Sequence, residues 1–259
     1  MEYVYDYKFF LNRGLKRKYI DPAAIEYCKL VPSSFVAIVY PSASGKDQKI
    51  EDIFSRWGDI FYRKEVHINK FGARLLMRQI YAGEEWLGSW KTGFPGANSK
   101  ASSCFRAGGV ARVFVINSSV ERIIKAKEEI RELFNLGKHS IHITDTQNES
   151  IQLAQVLLND NSVYFLNHAK SKYFTNFYTF LEQYKSLFVN DKHDIENYCI
   201  DGSSVLSAFG IRDSRDLDYL HSSNCQTLNG GEYIHSHNEE AIYYDIGIAD
   251  IISDPSNYF

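Results

Sequence analysis

Residues 199–220 read Cys199-Ile200-Asp201-Gly202-Ser203-Ser204-Val205-Leu206-Ser207-Ala208-Phe209-Gly210-Ile211-Arg212-Asp213-Ser214-Arg215-Asp216-Leu217-Asp218-Tyr219-Leu220. The pattern predicts a strand end, a tight Gly202-Ser203 turn, a short helix, a loop and a second strand. Asp216 and Asp218 lie two apart on that second strand. Strand side chains alternate between faces, so both carboxylates project from one side. Two carboxylates on one edge repel each other unless a cation joins them. A hard ion such as Mg2+ (or Mn2+) suits them, because it takes one or two carboxylates and fills its shell with water and substrate phosphates. A Gly-Ser turn ahead of a helix offers N–H and hydroxyl donors to a phosphate. Arg212 and Arg215 would offset phosphate charge. These parts describe a phosphoryl-transfer centre, where positioning and charge neutralisation supply most of the catalysis. The competing reading makes Asp216 and Asp218 solvated loop charges paired with Arg212 and Arg215, which contribute little.

The segment resembles the signature of the polymerase-beta-like nucleotidyltransferase superfamily, in which Gly-Ser is followed after about a dozen residues by Asp-hydrophobic-Asp-hydrophobic. Gly202-Ser203, twelve intervening residues and Asp216-Leu217-Asp218-Tyr219 carry the likeness. It is also similar to the LicD/fukutin-type phosphotransferases of glycan decoration. Lys138–Asp145 and Gly210-Ile211-Arg212 loosely resemble uncharacterised regions from surface-polysaccharide loci and large viruses. One position departs from the pattern: Asp201 stands where an apolar residue precedes the Gly-Ser. The resemblance implies a nucleotide donor, a sugar or glycan acceptor, and a third catalytic carboxylate on a following strand. Asp245, in Ala241–Asp245, is the preferred candidate, and Asp250, in Ile248–Ile252, the competitor. It also implies more chain than the few residues that follow to Phe259. Either the unit is truncated at its C-terminus or residues 1–190 complete the site.

Upstream, Ser34–Tyr40 is an apolar run that reads as a buried strand. Ile50, Ile53, Phe54 and Trp57 then mark a helix that Gly58 stops. Another helix is expected over 72–81. The stretch 90–107, rich in Gly, Ser and Lys, reads as a long loop, and Lys91, Lys100 and Arg106 would fold from it over a phosphate, or remain solvated. Val110–Ile116 is a strand, Ser118 and Ser119 cap a helix to Phe134, and Ser140–Thr144 is a second strand. Thr146 opens a capped helix to Leu158, and Val163–Leu166 reads as a third strand. This alternation is α/β logic. An aromatic helix over 171–188 leads to the polar segment Asn190–Asp194, taken as the boundary. The expectation is an α/β (or α+β) chain, with a body over 1–190 and a mixed-sheet unit over 191–259.

Most secondary candidates sit in the body. His142 is on a strand and Asp145 precedes a helix N-terminus, a place for a phosphate or for an oriented catalytic His; the alternative is a structural His beside a turn residue. Lys100 belongs to the expected cover. Ser42-Ala43-Ser44-Gly45-Lys46 has part of a phosphate loop's form, but Tyr40 and Asp47 occupy two of its required positions, and a plain turn fits better. His235 and His237, with Glu239 and Glu240, either bind metal or form an exposed polar turn. Two rival functions follow: a binding or scaffold module with a decayed site, and a kinase-like enzyme centred on His142 and Asp145.

Composition sets outer bounds. The 259 residues suffice for a real core, and a hydrophobic share of 44% with 24% charged residues is that of a soluble globular chain. Aromatics reach 15%, which points to sheet-rich packing or to stacking surfaces. A net charge of -3 without a basic block disfavours a broad nucleic-acid surface. Cys28, Cys104, Cys199 and Cys225 are too scattered for a zinc site and read as reduced thiols, giving a cytoplasmic expectation. The N-terminus MEYVYDYKFF lacks a signal-peptide form, and no run approaches the roughly 20 apolar residues of a membrane span.

Overall fold

The computed structural model describes residues 17–106, 109–170, 172–191 and 194–259. The N-terminal stretch quoted above, and Lys192 and His193 of the expected boundary, lie outside them. Two compact units are present. One runs to Gly88 and resumes over Phe94–Asn167 (with Phe259); the other comprises Ser89–Gly93 and His168–Tyr258. The division falls upstream of residue 190, because the helix over 175–191 contributes Phe180 and Tyr184 to the core of the second unit.

In chain order the first unit contains α1 (Arg17–Leu30), β1 (Ser34–Val39), α2 (Asp47–Trp57), β2 (Asp59–Ile68), α3 (Lys70–Ile80), α4 (Pro95–Phe105), β3 (Gly109–Asn117), α5 (Val120–Phe134), β4 (Ile141–Ile143), α6 (Gln147–Leu157) and α7 (Asp160–His168). The strands form a sheet in the order β2-β3-β1-β4, and every pairing is antiparallel. β1 is buried at all positions, so its sequence is an unbroken apolar run instead of an alternating one. One face, with Val36, Ile38, Val113 and Val115, packs against apolar residues of α1, α3, α4 and α6. The opposite face, with Phe35, Ala37, Val39 and Phe114, packs against Phe54 of α2 and Ile123 and Ile130 of α5. Helices thus cover both faces, and the chain combines helices with antiparallel and mixed sheets in an α+β manner.

Several expectations hold locally. Ser119 caps α5 by accepting the Arg122 N–H, and Thr146 caps α6 by accepting the Glu149 N–H. Others need correction. Residues 90–107 are not a long loop, since α4 occupies most of them. Pro95 starts that helix, and Ala97, Ala101, Cys104 and Phe105 form its buried stripe. Gly96 is there for packing: a Cβ on it would lie 1.9 Å from the Trp86 carbonyl oxygen. Val163–Leu166 is not a strand but part of α7, where the Asn159 carboxamide oxygen accepts the Asn161 N–H, and Ser162 and Leu166 are buried four apart. The first-unit sheet is antiparallel throughout, which selects the α+β form of the expected α/β (or α+β) class.

The second unit contains α8 (Thr175–Asp191), β5 (Tyr198–Asp201), α9 (Ser203–Ala208), β6 (Leu217–His221), β7 (Ile234–Ser236) and α10 (Ile248–Ser253). Its sheet is mixed: β5 and β6 are antiparallel, β6 and β7 parallel. Tyr198, Leu217, Tyr219 and Ile234 face Phe180 and Tyr184 of α8. The buried Tyr219 hydroxyl accepts the Leu228 N–H at 2.8 Å and so pins the connection between β6 and β7. Neither segment expected to carry a third carboxylate is a strand. Residues 238–243 form a 3-10 turn, in which the Glu240 N–H donates to the His237 carbonyl, and residues 248–253 form α10. No helix among the described residues is long and apolar enough to cross a membrane.

Candidate metal centre

The middle strand of the second sheet organises the site. β6 alternates Leu217, Tyr219 and His221 toward α8 with Asp218 and Leu220 toward the opposite face. Asp216, just before the strand, shares the face of Asp218. Asp201 of β5 lies directly opposite Asp218 in the antiparallel ladder, and His235 of β7 lies opposite it in the parallel ladder. A row Asp201–Asp218–His235 therefore crosses the three strands. Ligating atoms of Asp216, Asp218 and His235 all lie within 4.8 Å of one another.

A surrounding network holds this row in place. His237 places Nε2 3.1 Å from Asp218 Oδ1 and Nδ1 3.5 Å from Asp201 Oδ2. The Tyr244 hydroxyl donates to Asp201 Oδ2 at 2.5 Å. The Ser204 hydroxyl donates to the Asp216 carbonyl at 3.1 Å and ties the start of β6 to α9. Gly202, with φ +61° and ψ -138°, turns the chain from β5 into α9. A Cβ there would lie 2.8 Å from Asp218 Oδ2.

The electrostatics reflect this crowding. Burial raises the Asp218 carboxyl above its ordinary value; His237 opposes the shift, and the Asp216 charge adds to it. The hydrogen bond to Asp201, with burial, pushes the Tyr244 hydroxyl up to about 12. Two carboxylates and an imidazole nitrogen this close together are donor types that divalent cations take.

Of the residues expected to act here, Asp216, Asp218 and Gly202 converge. Ser203 is the first residue of α9, and its carbonyl accepts the Ser207 hydroxyl at 3.3 Å. Arg212 and Arg215 are exposed, and among the described residues neither pairs with Asp216 or Asp218. Their neighbour Asp213 accepts the Phe177 N–H at the start of α8. Asp245 and Asp250 are exposed and outside the cluster. Sequence reasoning missed Asp201, Ser204 and Tyr244 as members of the network. It weighed metal binding by His235 and His237 against an exposed polar turn, and missed the strand, although Tyr233-Ile234-His235-Ser236-His237 alternates as a short strand does, with Ile234 buried.

His142, Asp145, Lys100 and Lys46 belong to the first unit. His142 lies on β4 beside the Tyr81 ring, with centroids 5.2 Å apart, and burial depresses it to about 4. The Asp145 carboxylate goes instead to Lys127, at 3.3 Å. Lys100 donates to the Lys138 carbonyl at 2.6 Å, and burial lowers its pKa. Lys46 of the loop after β1 donates to the Leu133 carbonyl, as in a plain structural turn. Lys91 sits in a short 3-10 turn of the second unit, so the three expected cover residues do not share one flap.

Comparison with family models, curated proteins and solved structures returns no match.

Proposed function

We propose that the second unit is a divalent-metal-dependent nucleotidyl- or phosphoryl-group transferase, with a nucleotide as donor and a sugar or glycan hydroxyl as acceptor. The observation that carries this reading is the convergence of Asp216 and Asp218, with His235 opposite them, around one point beside the Gly202 turn. Asp216 and Asp218 would hold the cation, Mg2+ or Mn2+, which neutralises phosphate charge when bound. The strand ladder and His237 hold the Asp218 side chain in position, which supports this role. Gly202 and Ser203 present the turn to the donor phosphates, and the absence of a side chain on Gly202 leaves room for the Asp218 carboxylate. Arg212 and Arg215, exposed on the loop before β6, supply positive charge for the same phosphates. In the reaction the acceptor oxygen forms a bond to the donor phosphorus, the bond to the departing phosphate oxygen breaks, and the acceptor proton passes to solvent or a base. Four free thiols are compatible with a reducing, cytoplasmic setting. The glycan acceptor rests on the family resemblance.

The test is incubation of the whole chain with nucleotides radiolabelled at the α or the γ phosphate, a divalent cation and a panel of sugars and sugar phosphates. Transfer of α label with release of pyrophosphate identifies a nucleotidyltransferase, and transfer of γ label a kinase-type reaction. Retention of both labels on every donor leaves a binding or scaffold module as the better account.

A further inference from the structure

Resting on that reading, we infer that His235 is a third ligand of the Asp216–Asp218 cation and that the site selects Mn2+ over Mg2+. His235 is directly opposite Asp218 across the β6–β7 ladder, on the same face, and its ring nitrogen falls within the same 4.8 Å group as the two carboxylates. The second imidazole nearby has another task. Both ring nitrogens of His237 face carboxylates, Asp218 at 3.1 Å and Asp201 at 3.5 Å. His237 thereby orients Asp218, as outer partners of metal sites do, and leaves the His235 nitrogen as the imidazole donor grouped with the two carboxylates.

The donor chemistry separates Mn2+ from Mg2+. Carboxylates, water and phosphate suit Mg2+, Ca2+ and Mn2+ alike. An imidazole nitrogen adds little for Mg2+, which prefers oxygen, and adds affinity along the transition series. Mn2+ accepts both donor types and retains octahedral positions for water and donor phosphates. A site of two carboxylates and one imidazole therefore discriminates where a site of carboxylates alone would not.

The experiment is calorimetric titration of the nucleotide-free chain with Mn2+ and with Mg2+, for the wild type, His235→Ala, His235→Asp and Asp216→Ala/Asp218→Ala. Circular dichroism of each variant checks folding. Wild type should bind Mn2+ about ten-fold or more tighter than Mg2+, and His235→Ala should lose about that factor for Mn2+ while changing Mg2+ little. His235→Asp, which restores a third ligand as oxygen, should bind Mg2+ at least as well as wild type and show a smaller preference for Mn2+. Unchanged affinities in both His235 variants, with cation binding still lost in the double aspartate variant, would overturn the role of His235 and leave the transferase reading standing. Wild type that binds neither cation, without nucleotide or with ATP, CTP, GTP or UTP present, would overturn both.

Discussion

A Cβ on Gly202 would lie 2.8 Å from Asp218 Oδ2, so the turn after β5 and the buried carboxylate of β6 are in direct contact. The pairing of Asp201 with Asp218 in the ladder brings them together, and a positive φ lets the chain turn away without a side chain between them. A glycine ahead of a serine and a carboxylate sixteen residues later in the chain are thus one structural feature.

Gly202→Ala should be costly on two counts. The backbone region at φ +61° and ψ -138° strains any residue with a Cβ, at about 1–3 kcal/mol. The new methyl must also displace Asp218. Thermal melting should show the loss of stability, and a cation titration should show weaker binding in the fraction that remains folded. Unaltered melting and binding would mean that the contact is not a constraint.

Asp218 should oppose stability when no cation is present. Its carboxyl titrates above the ordinary value, chiefly through burial, so the folded state holds its proton more tightly than the unfolded one. Its contribution to stability therefore declines as pH rises from the ordinary carboxylate value through the raised one. Asp218→Asn should then melt above wild type at neutral pH in a chelator, and that advantage should shrink as pH falls through the window. A saturating divalent cation should raise the melting temperature of wild type and leave the variant unmoved.

His142 has the opposite pH dependence. Burial holds it near 4, below its unfolded value, so the neutral ring belongs to the folded state. Stability from this group is complete above the unfolded pKa of about 6.5 and is lost as pH falls toward 4. His142→Gln should flatten the decline in melting temperature across that range. A variant that follows the wild-type curve would show that other groups drive acid unfolding.

Lys64 tests the first unit independently of the metal centre. Its ammonium is buried between Asp21, at 2.7 Å, and Asp160, at 3.0 Å, while the Tyr62 hydroxyl also donates to Asp21 at 2.6 Å. Lys64→Ala leaves the Asp21 carboxylate buried without its cation and should cost about 3–5 kcal/mol in denaturant unfolding. Asp160→Asn, at the exposed end of the network, should cost less than about 1 kcal/mol.

The sequence made some elements legible because local chemistry agreed with tertiary packing. The run Ser34–Val39 shows its burial directly, and Ser119 and Thr146 act as the caps their positions imply. Other elements were masked by composition. β2 puts Lys64 at an inward position, and a register shift between Ile60 and Tyr62 interrupts its alternation, so residues 59–68 do not read as a strand. The glycines and serines of 95–105 conceal an Ala-rich helical stripe. At the site, Asp216 and Asp218 were legible because a spacing of two fixes a common face. His235 was legible as a possible metal ligand but not as their neighbour, because its proximity depends on the register of β7 against β6, and a three-residue strand with one buried residue carries little register information. Asp245 lies outside the Asp216–Asp218–His235 group because the chain after His237 closes into a 3-10 turn with local hydrogen bonds.

The most direct measurement is calorimetric titration of ATP, CTP, GTP and UTP into the whole chain, with and without Mg2+ or Mn2+, for the wild type and Asp216→Ala/Asp218→Ala. The account expects at least one nucleotide to bind only when the cation is present, and that binding to vanish in the double variant while the fold persists by circular dichroism. Nucleotide binding that ignores both the cation and the substitutions, or no binding by wild type under any condition, would contradict it.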